Sequence, residues 1–263
     1  MIGGVPAADP RVWVLDDAGA VAREAAKRFA AAASRAVEAS THFRVALSGG
    51  RTPLAAYRLL GQDGTFRDSV HWPSVDFFWG DERFVGPDDP QSNYRSAQEA
   101  LLGPLEIDPA RIHPVPTEAV DASAAATAYE QLLGRAFGTQ RPQVPRFDLV
   151  LLGLGADGHT ASLFPGALPD FGERLVVASR RPDDGSARVT LTPTVLSAAR
   201  EVLFLVTGAE KAEALEGTLR AKEPDPTFPA SLVRPAGGMI TWLADRAAAA
   251  TIADPSGAVE GLG

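Results

Sequence analysis

The sequence predicts an α/β fold: one domain with a mostly parallel, Rossmann-like sheet and helices on both faces. Two observations carry this. Short apolar runs alternate with longer helical patterns along the chain, and that alternation is the signature of parallel strands joined by right-handed crossovers. Several runs are nearly continuous apolar stretches rather than alternating ones, among them VDFFW at Val75–Trp79 and FDLVLL at Phe147–Leu152, each broken by a single Asp. Central strands covered on both faces read this way.

Taken in order, Arg11–Leu15 (RVWVL) reads as a strand and the Ala-, Arg- and Glu-rich stretch Asp17–Glu38 as a long helix. Phe43–Leu47 is a second strand, Ser48–Pro53 a loop, and Leu54–Leu60 the start of a helix. The strand Val75–Trp79 is followed by a polar loop, GDERFVGPDDPQSN, and a helix from Tyr94 to Leu102. Ala119–Phe137 is a further helix, and Phe147–Leu152 a strand that runs into Gly153–Gly158. Strands follow at Leu175–Ala178, Arg188–Thr192, Val202–Val206 and Met239–Leu243, with the helix Ala209–Leu219 between the last two. The Pro-rich segments do not resemble a long linker. Residues 1–253 are therefore expected to form one domain, and the small, polar end 254–263 a flexible tail.

The chain has 263 residues, 45% hydrophobic and 22% charged, which is ordinary for a globular protein with a sizeable core. Its net charge is −8 and no Lys/Arg cluster appears, so nucleic acid is not an expected partner. There is no cysteine, which excludes disulfides, thiolate nucleophiles and Cys-ligated zinc. No run approaches the ~20 apolar residues needed to span a bilayer. The start, MIGGVPAADPRVWVL, lacks the basic-then-apolar pattern of a secretory signal. The cytoplasm is the expected address, with no membrane partner.

Ligands of open parallel sheets sit beyond the carboxyl ends of the strands, and three loops there carry unusual residues. In Ser48-Gly49-Gly50-Arg51-Thr52-Pro53, glycines let the backbone approach a ligand, and the N–H groups of the turn can hold an anion. Ser48 and Thr52 add hydroxyls, and Pro53 suits a first helical position. The plain alternative is a capped strand–helix turn. In Gly80-Asp81-Glu82-Arg83, Arg83 is a candidate phosphate contact and Asp81 a candidate hydroxyl or water contact. A solvated loop reads the same. In Gly153–Thr160 (GLGADGHT), His159 follows Asp157 by two residues inside a glycine-rich strand exit. A histidine suits proton transfer near neutral pH, and a neighbouring carboxylate can orient its ring. His42, His71 and His113 have no such setting. Lys211, opening a helix, and Arg188, opening RVTLTP, are further phosphate candidates or surface charges.

Together these motifs resemble the 6-phosphogluconolactonase family. The matching stretches are ALSGGRTP (Ala46–Pro53), FFWGDERFVGPDDPQSNY (Phe77–Tyr94), FDLVLLGLGADGHTASLFPG (Phe147–Gly166), RVTLTP (Arg188–Pro193) and VTGAEKA (Val206–Ala212). The Pro-rich segment Lys222–Pro235 is similar to the family's PASLV region. The resemblance implies the fold shared with glucosamine-6-phosphate deaminases. It implies hydrolysis of 6-phospho-D-glucono-1,5-lactone without metal or organic cofactor, the partner being this small phosphorylated sugar lactone and the protein a monomer or small homo-oligomer. By resemblance His159 is the catalytic base with Asp157 beside it. Ser48, Gly49, Gly50, Thr52, Arg83, Arg188 and Lys211 then contribute to the substrate pocket, with Arg180 and Arg181 as alternatives to Arg188.

The chemistry expected is attack of water on the lactone carbonyl with proton transfer through His159. Three rivals remain. Deaminases of this fold place a carboxylate five residues after the histidine, where this chain has Phe164. A serine hydrolase would use Ser48, since ALSGG approximates a nucleophile elbow. A non-catalytic sugar-phosphate sensor would have no need of His159.

Overall fold

The computed structural model describes residues 11–252 and 258–260. Ten strands and seven α-helices alternate along them. The order is β1 (Arg11–Leu15), α1 (Ala18–Ser40), β2 (Phe43–Leu47), α2 (Arg51–Gln62), α3 (Gly64–Arg67), β3 (Val75–Trp79), β4 (Asp81–Arg83) and α4 (Asn93–Ala97). It continues with α5 (Ala122–Phe137), β5 (Leu149–Gly153), β6 (Val176–Arg180), β7 (Ala187–Leu191), α6 (Pro193–Ala198) and β8 (Glu201–Val206). It ends with α7 (Ala212–Arg220), β9 (Met239–Asp245) and β10 (Ala258–Glu260).

Seven strands form an all-parallel sheet in the order β10-β1-β9-β8-β5-β2-β3. The strands β3, β5 and β8 are buried almost end to end, β3 even at the sheet edge, which is why their sequences are mostly apolar rather than alternating. Successive strand residues point to opposite faces, and β3 shows what covers each. Phe77 stacks on Trp72, which meets Phe29 of α1, while the next residue, Phe78, packs on Phe137 of α5 and on Phe147. Helices therefore cover both faces, as the sequence predicts.

Two of the predicted strands lie apart from the rest. The segments near Leu175–Ala178 and Arg188–Thr192 do not join the parallel sheet. They form β6 and β7, which with β4 make a separate antiparallel sheet in the order β4-β7-β6. β4 itself lies in the stretch read as a polar loop; three charged residues give no strand signal, and only pairing with β7 makes them one. Part of the end segment is described. Ala258–Glu260 pair in parallel with β1, because an edge strand offers unpaired backbone groups to any extended segment; the rest of 254–263 lies outside the described residues.

Boundaries shift by a few residues where capping decides them. α5 starts at Ala122 rather than Ala119, because Asp121 accepts from the N–H of Ala124. α2 starts at Arg51, which puts Pro53 third rather than first in the helix. α4 runs on into a π-turn at Gln98–Leu102. The expected helix at Ala209 opens as a 3₁₀ turn, Ala209–Lys211, before α7. Among the described residues no helix is long and apolar enough to cross a membrane.

Candidate active site

β2 and β5 are neighbours, but the chain leaves β2 toward β3 and leaves β5 toward β8 on the other side. Their exit loops diverge, and a crevice opens at such a switch point. The cleft found there is lined from the exits of β2, β3, β5 and β8. It gathers Ser48, Gly49, Gly50 and Thr52, then Asp81 and Arg83, then His159, and finally Lys211. Three of the predicted loops and the Lys211 turn thus converge. Asp157 and Arg188 are the two predicted residues outside the lining.

The β2 exit is built as an anion cradle. Gly50 sits at φ +109, a conformation side chains resist, and turns the chain into α2. No side chain caps α2, so its first-turn N–H groups have no side-chain partner. The hydroxyl of Tyr57 accepts from the N–H of Ser48 at 3.0 Å and donates to its carbonyl at 2.9 Å, pinning the strand end. Burial pushes the Tyr57 phenol up from its ordinary pKa. Thr52 Oγ1 lies 2.7 Å from Thr207 Oγ1, which ties the cradle to the β8 exit. Ser48 Oγ is buried and makes no hydrogen bond among the described residues. It therefore has no general base beside it, against the serine-hydrolase reading.

The charged triplet separates into three roles. Asp81 Oδ2 accepts from the hydroxyl of Ser162 at 2.6 Å, which joins the second loop to the third. Arg83 donates to the carbonyl of Gln91 and lines the cleft. Glu82 points away and is buried, accepting from the N–H groups of Asn93 (2.7 Å), Tyr94 (2.7 Å) and Arg83 (2.8 Å). Burial pushes its carboxyl up, against the pull of those N–H groups.

Arg188 is buried opposite Arg83 in the β4–β7 register and makes no ion pair or side-chain hydrogen bond among the described residues. Burial and the neighbouring Arg83 charge push its guanidinium down from the ordinary value. The alternatives are engaged elsewhere: Arg180 donates to the carbonyl of Gly185, and Arg181 pairs with Asp183 at 3.0 Å.

The β5 exit presents the histidine. Gly155 donates its N–H to the carbonyl of His159 at 2.8 Å, folding the loop back on itself. A methyl group at Gly155 would overlap both His159 Nδ1 and Asp157 Oδ1, so only glycine fits. His159 Nδ1 lies 2.5 Å from Asp157 Oδ1, and its Nε2 makes no hydrogen bond among the described residues. Burial opposes ionisation of Asp157, but the hydrogen bond and charge of His159 prevail and hold its carboxyl at about 2. The ring of Phe164, at the position where the deaminase reading expects a carboxylate, lies 5.0 Å from the imidazole.

The other histidines stand apart. His42 and His113 approach Asp76 together with Arg111, near the opposite end of β3, and His71 bonds Ser74. Sequence reading missed Asn93 and Thr207 in the lining and Ser162 behind Asp81. Each is a neutral residue that carries no charge or motif signal of its own, and only the tertiary arrangement brings it there.

The fold and cleft define an α/β protein with a cleft beyond the carboxyl ends of its parallel strands, where His159, Arg83 and Lys211 meet a glycine-rich turn. The chain belongs to the glucosamine-6-phosphate isomerase/6-phosphogluconolactonase family, whose model matches residues 16–242. It is 44% identical over 206 residues to the 6-phosphogluconolactonase of Synechocystis sp., covering 78% of this chain and 82% of that protein. It is 35% identical to the 6-phosphogluconolactonase of Mycobacterium leprae, covering 92% and 98%. The solved 6-phosphogluconolactonase from Trypanosoma cruzi superposes with a TM-score of 0.81 at 31% identity, covering 93% and 97%.

Proposed function

We propose that this protein hydrolyses 6-phospho-D-glucono-1,5-lactone to 6-phosphogluconate in the oxidative pentose phosphate pathway. The carrying observation is that His159, whose Nε2 has no hydrogen bond among the described residues, lines the same cleft as the uncapped Ser48–Thr52 turn, Arg83 and Lys211. The lactonase names of relatives that cover most of the chain support the reading.

The cradle, Arg83 and Lys211 hold the phosphate by charge-assisted hydrogen bonds. His159 Nε2 takes a proton from a water as its oxygen bonds to the lactone carbonyl carbon. The bond from that carbon to the ring oxygen then breaks, and the same proton passes to the departing oxygen. Asp157 fixes the ring and stabilises the imidazolium. The product acid ionises, so turnover releases one proton. Arg188, beside Arg83, adds positive potential to this wall of the cleft without lining it. The enzyme works in the cytoplasm as a monomer or small homo-oligomer and calls on no cofactor.

The test is acid release from freshly generated lactone. The purified protein is expected to exceed the spontaneous rate, and His159→Ala to lose roughly 10²–10⁴-fold. A wild-type protein no faster than the spontaneous reaction refutes the function. A His159→Ala variant at full rate refutes the base assignment. Ser48→Ala is expected to keep most of its turnover, since no base addresses that hydroxyl.

A further inference from the structure

Asn93 lines the cleft and is held from three sides. Its backbone N–H donates to Glu82 Oε1 at 2.7 Å, and its Nδ2 donates to the carbonyl of Asp81 at 2.9 Å. Its Oδ1 is buried, has no hydrogen-bond partner among the described residues, and occupies the space where Gly49 would carry a side chain. Gly50 needs to be glycine for its backbone angle; at Gly49 the reason is different. There a side chain is excluded because Asn93 already fills its place. A buried acceptor left unpaired costs stability, and no protein group among those described repays that cost at Oδ1.

We propose that Asn93 is a positioning residue for the substrate phosphate. It seats the Ser48–Thr52 cradle against Asp81 and Arg83, with Glu82 as its anchor. Glu82 fixes the start of α4 by accepting from the N–H groups of Asn93 and Tyr94 and from the hydroxyl of Ser92, while holding the N–H of Arg83. One buried carboxylate thereby sets both the cationic side chain and the amide that abuts the cradle. The N–H groups of a cradle act together only when the loop is held, and small displacements are costly to binding and rate. The identity of the phosphate ester rests on the lactonase reading; the seating of the cradle does not.

Four proteins decide it: wild type, Asn93→Ala, Gly49→Ala and the double variant. Asn93→Ala is expected to raise KM for the lactone, and the inhibition constant of inorganic phosphate, by roughly 10- to 100-fold, with a smaller change in kcat. Gly49→Ala is expected to be as damaging or worse, because its methyl meets Asn93 Oδ1. The double variant is expected to do no worse than Asn93→Ala, since removing the amide makes room for the methyl. Thermal melts of the same proteins are expected to show the same non-additivity. Wild-type KM and phosphate inhibition in Asn93→Ala overturn the proposal, as do losses that simply add in the double variant. Should the wild type show no lactonase activity, that reading fails alone; calorimetric binding of inorganic phosphate by the four proteins still decides the role of Asn93. If Asn93→Ala does not fold, Asn93→Ser carries the same comparison.

Discussion

The contact between His159 Nδ1 and Asp157 Oδ1 fixes which ring nitrogen serves the cleft. When a neutral ring donates from Nδ1 to the carboxylate, the lone pair is left on Nε2, the arrangement a general base requires. Asp157→Asn is expected to keep the fold and lose part of the His159 rate factor in kcat, read by the acid-release assay. Gly155→Ala is expected to cost activity as well, because its methyl displaces both members of the pair; an unchanged rate would show that the loop can yield. The depressed pKa of Asp157 also has a sign in stability. A carboxylate held down at about 2 contributes stability above its ordinary value of 3.8, and that contribution fades as pH falls toward 2. Thermal melts of Asp157→Asn across that acid range are expected to lose this part of the pH dependence.

Two tyrosines close two strands in the same way. Tyr57 OH bridges the N–H and carbonyl of Ser48 after β2, and Tyr129 OH, from α5, bridges the N–H (2.8 Å) and carbonyl (3.0 Å) of Trp79 at the end of β3. Each strand ends where a phenol replaces the next ladder partner, and each end delivers a site loop. Tyr57→Phe leaves a buried N–H and carbonyl unpaired, which costs about 1–3 kcal/mol. It is expected to lower the denaturation midpoint and weaken phosphate binding together, whereas Tyr129→Phe is expected to show mainly the stability loss. In the core, Phe78 is fully buried among His113, Phe137 and Phe147. Phe78→Ala is expected to cost about 3–5 kcal/mol in denaturant unfolding.

At the scale of the whole molecule, the proposed function has an acidic chain bind an anion by local geometry rather than net charge. Inorganic phosphate is expected to compete with the lactone, raising KM and leaving kcat unchanged, and chelator dialysis to leave the rate unchanged, because the proposed proton path runs through His159 and water. The parallel sheet, the helices on both faces and the loops at Ser48, Asp81 and His159 were legible in the sequence, since apolar runs and glycine-rich strand exits are local signals. The small β4-β7-β6 sheet was not, because Asp81–Arg83 becomes a strand only by pairing with β7. By itself, then, the sequence determined the fold class, the family resemblance and the His159 loop, all of which depend on residues near one another in the chain. The tertiary structure alone decided that Arg188 lies beside Arg83 rather than on the cleft wall, and that Asn93 fits against Gly49. Those facts depend on strand order and side-chain packing, which join residues distant in sequence and leave no periodic trace in it.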